Sequence, residues 1–260
     1  MSGSSRRKLG IHKLSSTPVS TEECQGASLI LQRTYDSVSA LLGAFDDKRV
    51  RPGRPSDEDQ DLLRAMLVMA AAGVDAVAKQ LIRDCLPVLA QGDPVVKKGL
   101  EGFIARQLGD DKDPLGTSSG RSFLGRVLAS ASHQHRVIEE YIEDLTGGSL
   151  QSVSELFRTA VALGVKPSDL GLDKNKLALQ TIFADRNKII HELDIRGFAP
   201  GQRVRNPRSK NEMIGSANTL LRTAEALRDA VDKKLVASPP ADPWQRFLRT
   251  TDRPFPLLFS

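Results

Sequence analysis

The stretch from Ala65 to Ala78 leaves this chain little choice of architecture. It runs Ala65, Met66, Leu67, Val68, Met69, Ala70, Ala71, Ala72, Gly73, Val74, Asp75, Ala76, Val77, Ala78. A helix of that composition is apolar almost all round and has to be packed on several sides at once. Upstream, Ser56 stands before Asp57, Glu58 and Asp59: a cap oxygen followed by carboxylates that complement the positive end of the helix dipole. The pattern predicts a central helix from there to about Leu86. Asp75 is the one charge within residues 65–78, expected to be partly exposed and paired with Lys79 a turn later.

Around this helix, apolar residues recur at helical spacing in further segments: 21–45, 93–108, 122–145, 149–164, 173–194 and 211–236. Asp93-Pro94 opens one of them, Gly147-Gly148 closes another, and Pro167 breaks the chain before the next. Aromatic residues make up only 5% of the chain, which suits closely packed helices better than a sandwich of sheets. The expected fold class is all-α, a multi-helix bundle. Residues 1–20 form a disordered basic arm, residues 21–236 the helical domain with its core in 56–236, and residues 237–260 an extended Pro-rich tail. Trp244, Phe247, Phe255 and Phe259 make that tail too apolar for an idle linker.

The net charge is +5 and the pI near 9.3, with the basic residues clustered, a balance that favours a polyanionic partner. Five of them, Arg196, Arg203, Arg205, Arg208 and Lys210, follow one another without an intervening acid. Such a loop neutralises several phosphates if it meets RNA, or is simply solvated if it does not. Cys24 and Cys85 are the only cysteines, and neither has a Cys or His at ligand spacing, so no disulfide scaffold, metal site or cofactor is expected. No signal-like segment and no bilayer-spanning stretch is expected either, and the chain reads as cytoplasmic with no membrane partner.

Residues 185–192 read Asp-Arg-Asn-Lys-Ile-Ile-His-Glu. On a helical wheel Arg186 falls in the middle of the face shared by Leu179, Ile182, Phe183, Ile190 and Leu193. A guanidinium there must meet a carboxylate, line a wet cleft or face an anion. Asn187 and His191, four apart, lie together on the adjacent flank. Arg186 and His191 are about 140° apart on the wheel, so one straight helix does not aim both at one atom. An ion pair inside the bundle and a functional site both remain open on these grounds. His133 and His135 sit two apart on different faces and read as surface residues.

The run Arg186-Asn187-Lys188-Ile189-Ile190-His191, late in an all-α chain, resembles the signature of the HEPN superfamily: an Arg, a polar residue, then a His after four to six intervening positions. The Ala-rich helix with Arg64 and Asp75 upstream is similar to the prokaryotic RiboL-PSP-type branch. This resemblance implies a metal-independent endoribonuclease, a hydrolase in which two protomers bring their motif helices together in a composite active site. His191 would then act as the base and Arg186 as the phosphate-stabilising cation, with Asn187 positioning one or the other. Lys188, Arg203, Arg205 and Arg208 would bind the RNA. It further implies a toxin or antiviral defence role, with a possible antitoxin or regulatory partner. A non-catalytic HEPN-like RNA- or protein-binding module and a structural helical adaptor are the alternatives.

Overall fold

A computed structural model describes residues 10–15, 18–48, 55–109, 118–196 and 205–237. Among these the secondary structure is eight α-helices: α1 Gln25–Lys48, α2 Asp57–Gly92, α3 Pro94–Leu108, α4 Ser118–Leu128, α5 His133–Thr146, α6 Val153–Ala162, α7 Leu172–Glu192 and α8 Lys210–Ala237. Short 3-10 turns precede α1 and α7, and an isolated bridge joins Ile195 to Arg205. The all-α expectation holds.

The centre of the molecule is α2, against which α1, α3, α5, α6, α7 and α8 pack. Its start is a reciprocal cap, with Ser56 Oγ accepting from the Asp59 N–H at 3.1 Å and Asp59 Oδ2 accepting from the Ser56 N–H at 3.1 Å. Leu63, Met66, Leu67, Ala70, Ala71, Val77, Ala78, Leu81, Ile82, Cys85 and Leu86 are fully buried along it. The helix runs past the expected stop, carrying Pro87 within it to Gly92. Burial of Leu86, Val88, Leu89 and Ala90 on either side of the proline offsets the backbone bond it removes. An 18-residue window of α2 reaches a mean hydropathy of 1.6, long and apolar enough to cross a membrane. That corrects the expectation that no such stretch exists; in this fold 56% of that window is buried.

The tightest contact is between α1 and α2 at Gly73, where a Cβ would lie 2.2 Å from Thr34 Cγ2. Only glycine allows that approach. Cys24 and Cys85 meet across the same interface as buried free thiols, Sγ to Sγ 3.9 Å. Asp75 behaves as expected, pairing with Lys79 at 2.9 Å, and also accepts from the Leu150 N–H at 2.6 Å.

Two expectations change. Residues 122–145 are two helices, α4 and α5, because Ser130 Oγ bonds both the C=O and the N–H of Ser132 and competes with the helical ladder. Arg126 and Arg136 then close on Glu140 at 2.5 Å each, fastening α4 and α5 together. The amino-terminal arm is not free from Gly10 onward, for it lies against α8. There Asn218 Oδ1 accepts from the His12 N–H at 2.6 Å, Glu225 Oε2 meets His12 Nε2 at 2.9 Å, and Asp232 accepts from the Ser20 and Thr21 N–H groups at 2.8 Å. Ile11, Leu14 and Val19 pack on the core beside these bonds. The Pro-rich tail falls outside the described residues.

Candidate nucleic-acid interface on helix α7

Helix α7 follows Gly171, whose φ of 63° is the left-handed geometry that glycine adopts without penalty. It buries Leu172, Leu179, Ile182, Phe183 and Ile189 against α2, α6 and α8. Arg186 lies within this stripe, a turn from Ile182 and from Ile189. The expected apolar face is displaced at its end, since Ile190 is 38% and Leu193 63% exposed. Leu193 escapes the face because the helix stops before it. Leu193 and Asp194 take φ of 51° and 60°, and the Asp194 N–H bonds back to the Lys188 carbonyl at 3.0 Å.

Arg186 is half-buried. Its Nη1 donates to Asn187 Oδ1 at 2.9 Å, and its Nε is buried with no acceptor among the described residues. The neighbouring carboxylate, Asp185, pairs elsewhere, with Arg208 Nη1 at 3.0 Å. Among the described residues no carboxylate pairs with Arg186, so the internal ion pair left open by the sequence is not what occupies it. Asn187, Lys188 and His191 are exposed beside it, with His191 in the last turn of the helix. His133 and His135 are exposed on α5, where His135 Nε2 lies 3.1 Å from Glu139.

The basic loop divides. Arg203 lies outside the described residues. Arg205 donates to the Leu193 carbonyl at 2.9 Å and pairs with Asp61 at 2.6 Å. Arg208 holds Asp194 with Nε at 2.8 Å and Nη2 at 2.6 Å. Lys210 pairs with Asp46 at 2.5 Å. Expected to meet phosphate, Arg205 and Arg208 instead have their guanidinium groups engaged by carboxylates and a carbonyl of the chain itself.

Asp194 is not among the residues that the motif singles out. It is 0% exposed, and its two oxygens accept from Arg64 Nε at 2.9 Å, from Arg208 twice and from Asn206 Nδ2 at 3.0 Å. Arg64, 2% exposed, is saturated by Asp194, Asp61 and the Asp57 and Asn206 carbonyls. Burial works against the Asp194 charge, but the bonds from Arg208, Arg64 and Asn206 outweigh it and hold the carboxyl below the usual carboxylate range. This cluster ties the end of α7, and with it the turn bearing His191, to the start of α2. The sequence carried one signal for it: a run of arginines without an acid needs a counterion, and Glu192 and Asp194 stand at its head.

Between the start of α6 and the outer edge of α7 lies a cleft of about 560 Å³, lined by Gln151, Phe157, Lys176, Gln180 and Asn187 among others. Among the described residues no three His, Cys, Asp or Glu side chains gather to hold a metal ion. What this surface offers chemically is a guanidinium bonded to an amide and to no carboxylate among the described residues, with a lysine and an exposed imidazole beside it: donors for a phosphate and an accessible ring nitrogen.

Fold and site together define an all-α bundle with Arg186, Asn187, Lys188 and His191 on one helix. Compared with protein-family models, with curated proteins and with solved structures, the chain has no match.

Proposed function

We propose that the chain is a metal-independent endoribonuclease of HEPN type, acting on single-stranded or loop RNA. The observation that carries this is Arg186: it interrupts the buried stripe of α7, yet among the described residues its guanidinium has an amide and no carboxylate for company. A half-buried cation left without a counterion is arranged to receive an anion. RNA brings its own nucleophile. His191 takes the proton of the 2′-hydroxyl as that oxygen bonds to phosphorus, the phosphorus–5′-oxygen bond breaks with the leaving oxygen taking a proton from solvent water, and Arg186 stabilises the charge gathering on the phosphate. The products are a 2′,3′-cyclic phosphate and a 5′-hydroxyl.

The composite site of two protomers belongs to this proposal. Within one copy His191 has no hydrogen-bond partner among the described residues, and the flank of α7 that carries Asn187 and His191 is exposed. A second copy meeting that flank across a two-fold axis would bring each His191 to the other copy's Arg186. A toxin or anti-phage role, with a neutralising partner, goes with this activity by resemblance alone.

Purified protein incubated with RNA in EDTA should leave cyclic-phosphate ends, and His191→Ala should abolish them. Cleavage that persists in His191→Ala, or that appears only with added metal, overturns the proposal. The solitary His191 also favours a second reading, a module that binds RNA without cutting it. In that case RNA is retained, with affinity falling steeply as salt rises, and no new ends form.

A further inference from the structure

The cleft between α6 and α7 offers groups that a phosphate does not need. Phe157 and Phe183 supply flat apolar walls, Gln151, Gln180 and Asn187 supply carboxamides, and Lys176 supplies a cation. Gln151 Oε1 is buried and accepts no hydrogen bond among the described residues. A buried acceptor without a donor is uncommon and costs free energy until one arrives. Asn187 complements it. Its oxygen is already held by Arg186 at 2.9 Å, so the group it has left to offer the cleft is the amide N–H donor pair.

A flat ligand with at least one N–H and one acceptor on its edge satisfies both residues while lying against phenylalanine, and every nucleobase meets that description. The volume, about 560 Å³, falls in the range of small-ligand pockets. The α7 residues on the cleft, Lys176, Gln180 and Asn187, continue along one edge of the helix to His191, one turn or roughly 6 Å beyond Asn187.

We propose that this cleft is a nucleobase subsite, holding one unstacked base of a single strand with its Watson–Crick or Hoogsteen edge on Gln151 and Asn187. It rests on the nuclease proposal only for the identity of the strand. Base capture itself is a binding property and is measurable without cleavage.

The test uses the full chain and a short single-stranded DNA carrying 2-aminopurine, which lacks the 2′-hydroxyl and cannot be cut by the proposed route. Binding should quench the fluorophore saturably, and the same strand with an abasic site in its place should bind more weakly. Phe157→Ala should weaken binding roughly 5- to 100-fold, the range for loss of one base–aromatic stack. Gln151→Leu, close to isosteric, should weaken binding and flatten the preference among the natural bases used as competitors. Absence of quenching, equal binding of the abasic strand, or binding within twofold of wild type in both Phe157→Ala and Gln151→Leu would each overturn the subsite. If base binding holds while no RNA is cut, the nuclease proposal fails and the subsite stands. If RNA is cut and neither cleft variant alters KM or base preference, the subsite alone fails.

Discussion

Replacing Asp194 by asparagine isolates the electrostatic cluster behind α7 with almost no change in shape. Asn tolerates the left-handed backbone at this position, where φ is 60°, so backbone strain does not enter. The charge and two acceptor sites do. Wild-type Asp194 accepts four hydrogen bonds, one from Arg64, two from Arg208 and one from Asn206. An amide turns one of its oxygens into a donor that faces other donors. It also leaves Arg64, 2% exposed, with only Asp61 as a charged partner, and that carboxylate is exposed. Breaking a buried pair in this way costs about 3–5 kcal/mol, a loss of roughly 6–20 °C in Tm for a domain of this size. Urea denaturation followed by circular dichroism measures it directly. The pH dependence gives a second readout. Because the folded carboxyl titrates below its ordinary value, its contribution is complete above the unfolded pKa of about 3.9 and is lost as pH falls through the folded value. Wild type and Asp194→Asn should therefore differ at neutral pH and converge only in acid below about pH 4. A variant within about 1 kcal/mol of wild type at pH 7 would refute the view that this cluster fastens α7 to α2.

Arg186→Gln should abolish RNA cleavage while changing the unfolding free energy from urea denaturation by less than about 1 kcal/mol, because no ion pair among the described residues is lost; a large destabilisation would return Arg186 to a structural role. Gly73→Ala should destabilise by about 1–3 kcal/mol, despite alanine's better helix propensity, through collision with Thr34, and Thr34→Ala in the same chain should recover much of it. Leu193→Gly should raise stability by up to about 1 kcal/mol by relieving a left-handed leucine that is largely exposed; thermal melts decide the sign.

The central helix was legible because its signal is local. Ser56 to Asp59 forms a cap whose partners are three residues apart, and an almost wholly apolar run such as 65–78 gains most by packing against other helices. The α4–α5 break was missed because it depends on the rotamer of Ser130, which composition does not specify. At the site, the sequence was enough to show that Arg186 breaks an apolar face on the motif helix, and that Asn187 and His191 share a flank. Those relations follow from helical periodicity over a few residues.

Charge partners are a different matter, because they depend on which surfaces meet. Arg205 and Arg208 read as phosphate ligands, and only the packing of residues 205–208 against α2 gave them Asp61 and Asp194 as partners, the latter also held by Arg64 across 130 residues of chain. The same holds for the cleft, where Gln151 and Phe157 of the α6 region meet α7 only in the folded bundle. By itself, then, the sequence determined the helices, the central position of α2 and the anomaly at Arg186, all of which arise from short-range spacing. Tertiary structure alone decided which charges are neutralised inside the protein and which remain for a ligand, because a counterion is chosen by proximity in space and long-range proximity leaves no period in the chain.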